Sequence, residues 1–335
     1  MMAKIYAYAS RVIVWLDDMP AEDGQVIGST HEALEAIAAA AYGKPAFGDY
    51  PRPSDKSTEV LPVLQHPWFR RVWVLQEVAA ARHVVIMCRS TEIDGHAFSI
   101  GIREMRLDSV DPSAMSRVRS AAFLIEKATT RPKYASSSAE SERFSLDIAS
   151  LGELMDMYYN RETSDSRDQV YAILGMASGS IPADLMPDYS VLWEELFHRL
   201  VRSQLGQEVL VQPWEERYGA VLINTKIQVL GWVCWVTRWP STSFGYGQRA
   251  SIEIKGIDQS STKWTGSWTL QTAHAIQKQD LLCLPQGTQK PIIIRISLGH
   301  HPIILAISVP MLRINDELEE NLSEWTRTGW AALVE

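Results

Sequence analysis

Two short unbroken apolar runs set the frame of this chain: Arg11-Val12-Ile13-Val14-Trp15-Leu16 and His83-Val84-Val85-Ile86-Met87-Cys88. Runs of this length, bounded by polar residues, predict strands covered on both faces in a parallel sheet. The segment between them is helical. Ser29-Thr30-His31-Glu32 reads as a capping box, and Ala33, Leu34, Ile37, Ala38 and Ala41 follow at helical spacing until Gly43 and Pro45. After a proline-bearing loop over 43–57, Glu59 to Arg82 reads as one or two helices broken near Pro62 and Pro67. Strand, helix, helix, strand is the order of a crossover joining parallel neighbours.

Downstream, helical patterns are predicted over 113–128, 146–159, 166–177 (capped by Ser166 with Gln169) and 190–205, with a Ser-rich connector over 129–145. After Pro213 the period changes to short β-branched and aromatic runs separated by Gly, Pro and Ser, the mark of a β-rich module. The tryptophans divide in the same way, because eight of the 12 lie after residue 210.

The formal charge of −8 gives no net field towards phosphate or anionic lipid, so neither nucleic acid nor membrane is an expected partner. The longest apolar stretch, 227–236, is half of what a membrane-spanning helix needs, and residues 1–10 lack the apolar core of a signal peptide, so the expected location is the cytoplasm. Cys88, Cys234 and Cys283 are odd in number and each sits in an apolar stretch, which fits reduced thiols. No dinucleotide, P-loop, hydrolase-elbow or zincin motif is present. His66, His83, Cys88 and His96 lack the close ligand pairs of a zinc site, so no metal is expected.

His66-Pro67-Trp68-Phe69-Arg70-Arg71-Val72-Trp73-Val74-Leu75-Gln76-Glu77 resembles the signature of the fungal heterokaryon incompatibility (HET) domain. Three further segments match that family in order: Ile5-Tyr6 through Ala9 to Leu16, Arg167-Asp168-Gln169-Val170-Tyr171-Ala172-Ile173-Leu174-Gly175-Met176, and Pro187-Asp188-Tyr189-Ser190. More loosely, Gln279-Asp280-Leu281-Leu282-Cys283-Leu284 with Gly287 and Pro291 to Arg295 resembles a C-terminal element of such proteins. The family's opening strands, Ser-Tyr-x-Trp-Gly and Trp-Ile-Asp-Ala-Ile-Cys-Ile-Asn-Gln, are not found, so an N-terminally truncated member with an uncovered apolar sheet edge is expected. The resemblance implies an α/β fold: a partial TIR-like parallel sheet with flanking helices, then a helical layer and a β-rich C-terminal module. The expected divisions are 1–90 (the C-terminal part of the HET domain), 91–210 (helical) and 211–335 (β-rich).

On a helix from Trp68 to Arg82, Val72, Leu75 and Ala79 form a core face, and Arg70, Trp73 and Glu77 stand at i, i+3 and i+7 on another. Trp73-x-x-x-Glu77 is also similar to the Trp-Cys-x-x-Glu helix of TIR domains. In enzymatic members that glutamate supports cleavage of the nicotinamide bond of NAD, chemistry that needs a carboxylate by an oxocarbenium-like centre and an aromatic wall. Glu77 and Trp73 are the catalytic candidates, with NAD as substrate and no resident cofactor. The alternative is a half-paired surface carboxylate and a packing indole. Arg70, Trp68, Arg167 and Asp168 are candidate binding residues. The bland alternatives are Trp68 stapling the helix start to the core, and Arg167 and Asp168 serving as cap and interdomain salt bridge. Three functions follow from the resemblance: a module for non-self recognition and programmed cell death acting through protein partners or self-association, an NAD-cleaving enzyme, or an accessory enzyme of a fungal biosynthetic cluster.

Overall fold

A computed structural model describes residues 2–17, 29–43, 56–105, 107, 109–128, 145–213, 221–238, 248–254, 264–270, 272–288, 290–297, 301–309 and 328–334. The chain divides into two compact units, 1–149 with 160–179 and 240–246, and 150–159 with 180–239 and 247–335. The segment 91–210 is thus shared between them. The connector over 129–144 lies outside the described residues, as do Trp214, Trp239 and Trp325.

The first unit opens with α1 (Met2–Tyr8), β1 (Val12–Trp15), α2 (Thr30–Tyr42) and α3 (Ser57–Leu64). A 3-10 turn (Pro67–Arg70) leads to α4 (Val74–Ala80), β2 (Val84–Cys88), β3 (Thr91–Asp94), α5 (Gly95–Glu104) and α6 (Pro112–Ala128). The expected crossover is present, with β1 parallel to β2 in the register Val12 to Val84 through Trp15 to Met87. The sheet is mixed rather than purely parallel, because the two-residue turn at Arg89-Ser90 sends β3 back antiparallel onto β2. Sheet order is β1-β2-β3, with β1 at an edge among the described residues.

Edge position explains one correction. β1 was expected to be covered on both faces, yet Val12, Val14 and Leu16 are buried while Ile13 and Trp15 are about half exposed. β2 does fit the expectation, with Val84, Val85, Ile86 and Cys88 all buried. α2, from the crossover, and α5, which follows β3, approach closely at Gly101, where a Cβ would stand 2.2 Å from the Ile37 carbonyl oxygen. Ser29 occupies the N-cap position of α2, but its side chain does not cap the helix, so the expected capping box is not formed.

α7 (Leu151–Tyr158) belongs to the second unit, and α8 (Asp168–Leu174) to the first. Both are shorter than their apolar spacing predicts. α7 starts at a genuine capping box, Ser150 with Glu153, and residues 146–148 are extended, Leu146 and Ile148 donating N–H bonds to the Gly175 and Met176 carbonyls at 2.9 Å each. α8 is preceded by Arg167 at the N-cap position rather than by Ser166.

The second unit continues with α9 (Trp193–Leu205), stopped by Gly206 at φ 96°, a left-handed conformation that favours glycine. Then come β4 (Leu210–Pro213), β5 (Val221–Arg238), β6 (Gln248–Ile254), β7 (Trp264–Leu270), β8 (Leu281–Pro285), β9 (Ile292–Arg295), β10 (Ile303–Ala306) and β11 (Thr328–Val334). They form one sheet in the order β11-β10-β9-β8-β5-β6-β7, with β4 also on β5. β11 pairs with both β10 and the first half of β5, so β5, β8, β9, β10 and β11 close on themselves. Within that closed part no strand is left at an edge, whereas β4 and β7 each pair on one side among the described residues. The register slips between Val229 and Gly231 against β8 and between Val233 and Trp235 against β6, so β5 bends twice. Leu230, Val233, Leu270, Leu282, Ile293 and Leu305 form its core. Among the described residues, no helix is long and apolar enough to cross a membrane.

Candidate functional site

The signature segment does not form one helix. His66 Nδ1 accepts the Trp68 N–H at 3.1 Å, which starts the 3-10 turn over Pro67–Arg70. The ring's other N–H donates to the Asp17 carbonyl, and burial lowers the pKa of His66, so the imidazole is neutral and joins the end of β1 to the start of the signature. Phe69 then drops into the core, stacked on Phe98 at 6.0 Å and edge-on to Trp68 at 4.9 Å. Arg71 is extended and bridges Glu162: the Glu162 N–H donates to the Arg70 carbonyl at 2.7 Å, and the Val72 N–H to the Glu162 carbonyl at 3.1 Å. This strand-like exchange interrupts the helix expected from Trp68 to Arg82. Arg70 therefore stands off the face that carries Trp73 and Glu77, its guanidinium 4.0 Å from the exposed Glu162 carboxylate. Val72, Leu75 and Ala79 are buried, as their spacing requires.

Below the break, the side chains of the signature reach segments about 95 residues further along the chain. Trp73 donates its indole N–H to Asp168 at 2.9 Å, and Gln76 donates its amide to the Ala172 carbonyl at 2.6 Å. Gly175 lies against Gln76, with the site of its missing Cβ 3.1 Å from the Gln76 amide nitrogen. Asp168 and Trp73, expected at separate positions, are thus one hydrogen-bonded pair. Arg167 takes a local partner, Asp165, through two bonds of 2.9 and 2.6 Å that hold the Asp165 carboxyl below the usual carboxylate range. The Trp73 to Asp168 bond is testable. Trp73→Phe and Asp168→Ala should each cost about 1 kcal/mol of stability, and the double variant should show a coupling of about 1 kcal/mol. Additive losses in a denaturant double-mutant cycle would mean that the bond is not formed in solution.

Glu77 faces α1. The Tyr6 hydroxyl and the Arg71 guanidinium are the groups that act on its carboxyl. Burial pushes the Glu77 carboxyl above its ordinary value, against the pull of Arg71 and Tyr6; the same burial and the Glu77 charge push the Tyr6 hydroxyl up. A half-buried carboxyl group next to a phenol and a guanidinium is a site of perturbed charge. Among the described residues no group of three His, Cys, Asp or Glu side chains could hold a metal ion. His83 instead pairs with Asp94 at 2.7 Å, and Cys88 is buried.

The residue that organises this region was not singled out in the sequence. Arg161, only 3% exposed, donates to the Phe69 carbonyl, and at 2.6 Å to both the Arg117 carbonyl and the Ser120 hydroxyl. It ties the 3-10 turn of the signature to α6. Its position directly before Glu162, in a polar stretch with no apolar period, gave no sign that it would be buried.

The second unit explains the loosely matched C-terminal element. Asp280 and Arg295, at the two ends of that pattern, form a two-point ion pair between β8 and β9 with bonds of 2.8 Å each. Nearby, His274 stacks on Tyr159 at 3.9 Å, and burial together with Arg295 lowers its pKa to about 4, so this imidazole is uncharged near neutrality.

Residues 1–77 match the family model described as heterokaryon incompatibility protein (HET). No curated protein and no solved structure matches the chain. The match ends at Glu77, so it takes in α1, β1 and the whole signature, and the contacts above join those elements to residues 161–175.

Proposed function

We propose that this chain is a heterokaryon-incompatibility protein that signals non-self recognition and programmed cell death in fused fungal cells. It acts as an interaction module in the cytoplasm, through protein partners or self-association. One observation supports the reading above others: within the matched segment, Phe69, Trp73, Gln76 and Glu77 are each engaged with other parts of the first unit. A signature used to lock a scaffold leaves recognition to the surface of that scaffold. Inducible expression of the full chain in a filamentous fungus tests this. Unfused colonies should grow normally, and death should be confined to cells fused with a strain of unlike genotype. Fused cells that survive with the protein well expressed would overturn the proposal.

The raised carboxyl of Glu77 favours a second reading, in which NAD is the substrate and Glu77 steadies positive charge developing on its ribose. No nucleotide-binding motif accompanies Glu77 in the sequence, so the expected result is no loss of NAD with either purified wild-type protein or Glu77→Ala. Turnover in the wild type that Glu77→Ala abolishes would put the second reading in place of the first.

A further inference from the structure

Gly152 in α7 leaves room for two functional groups of the second unit to meet. Where its Cβ would stand, the Ser308 hydroxyl oxygen lies 2.5 Å away and the Gln204 carboxamide oxygen 2.9 Å away. Any side chain there would part them; with glycine, a hydroxyl from the chain leaving β10 and an amide from α9 converge on one point. The amide is oriented as well. Gln204 donates its nitrogen to the Ser203 hydroxyl at 3.0 Å, and that hydroxyl donates to the Leu200 carbonyl at 2.7 Å, so the oxygen end of the amide is the one turned towards Ser308. Asp156 is four residues on from Gly152, hence on the same face of α7, and accepts the Ser308 N–H at 2.9 Å. Complete burial, reinforced by Glu153, raises its pKa to about 8, so it carries a proton near neutrality. Hydroxyl, carboxamide and buried acid thus share one corner of the second unit.

We propose that Ser308 and Gln204 join in an intramolecular ester, with Asp156 as the proton relay. Ser308 Oγ attacks Gln204 Cδ: the Oγ–Cδ bond forms, the Cδ–Nε2 bond breaks, and the nitrogen leaves as ammonia. Asp156 gives its proton to the departing nitrogen and takes that of the Ser308 hydroxyl, so it ends as it began. The step needs no oxidant, reductant or cofactor. Holding the reacting groups together supplies what an amide and an alcohol lack in solution. Ser308 and Gln204 are both only partly buried, which leaves ammonia a way out. The bond ties α9 to the exit of β10 across a loop of about 100 residues, and a cross-link of that span restrains the unfolded chain more than a short one. It lies wholly within the second unit, so it stands or falls separately from the proposed signalling role.

Intact-mass spectrometry of the purified full chain is the test. The wild type should weigh one ammonia less than its sequence requires. A tryptic digest should contain the peptide 203–217 joined to the peptide 296–313, and hydroxylamine, which cleaves esters, should part them. Ser308→Ala and Asp156→Asn should both keep the full sequence mass, with circular dichroism showing them folded. A wild-type chain at the full sequence mass, or an ammonia loss that persists in Ser308→Ala, would overturn the inference. An Asp156→Asn chain that cross-links as completely as the wild type would overturn the part given to Asp156.

Discussion

Replacing Arg161 with methionine should destabilise the chain by about 3 kcal/mol, although the residue lies outside every motif in the sequence. The substitution removes the donors to two buried carbonyls, Phe69 and Arg117, and to the Ser120 hydroxyl. Each carbonyl left without a donor costs about 1–3 kcal/mol, and relief from burying a guanidinium offsets part of the sum. Ser120 also donates to the Arg117 carbonyl at 3.1 Å, so that pair is only partly orphaned. Arg161→Lys keeps the charge and still cannot span the 3-10 turn and α6 with a single ammonium, so it should recover less than half of the loss. Denaturant unfolding gives the magnitudes. Hydrogen exchange gives the location, since protection of Phe69 and Val72 amides should fall first. A variant within about 0.5 kcal/mol of the wild type would show that Arg161 carries no such load.

The parts of the fold that the sequence displays are those fixed by local pattern. β2 was legible because both of its faces are buried, which demands the unbroken apolar run from Val84 to Ile86. β1 carries the same kind of run and differs only in its neighbours, so nothing local separates an edge strand from a central one. The break at Arg71 is of the same origin: the spacing of Val72, Leu75 and Ala79 suits a continuous helix, and the Glu162 backbone, 91 residues away, draws Arg70 to Val72 into an extended bridge instead. Residues 146–148 show the converse. Leu146 and Ile148 extend the helical period of α7 backwards, but the Ser150 to Glu153 box two residues later is the true start, and its Ser-x-x-Glu pattern was there to be read.

The candidate site divides in the same way. Trp73 and Asp168 each stood out as members of separate motifs, and only the fold reveals them as one bond. Arg167 reads as a charged residue at a helix start, and its partner Asp165, two residues back, belongs to no motif of the sequence. Arg161 and Asp156 are the opposite case. Each is a charged residue buried by tertiary structure: Arg161 lies in a polar stretch, and Asp156 among Leu154, Met155, Met157 and Tyr158 with nothing local to name its partners.

Asp156 carries the second large effect. Its carboxyl group, in α7, accepts the Ile307 N–H at 3.0 Å on both oxygens and the Ser308 N–H at 2.9 Å, while its backbone carbonyl accepts the Ala273 N–H at 2.8 Å. α7 is thereby fastened to the chain that leaves β10. Asp156→Ala leaves two buried N–H groups without an acceptor and should cost about 2–4 kcal/mol. Asp156→Asn keeps one acceptor oxygen and should cost roughly half of that. The wild type should also carry a pH signature. Complete burial, reinforced by Glu153, raises the Asp156 pKa to about 8 against the pull of its N–H donors. An unfolded aspartate titrates near 4, so between about pH 4 and pH 8 the native state holds a proton that the unfolded chain has released. The contribution is therefore complete below the unfolded value and declines as pH rises, by at most about 1.4 kcal/mol per pH unit, until it levels off above the native value. The stability difference between wild type and Asp156→Asn should shrink steadily from pH 5 to pH 8, with the loss of exchange protection centred on the Ile307 and Ser308 amides. A difference that stays constant across that range would place the titration of Asp156 elsewhere.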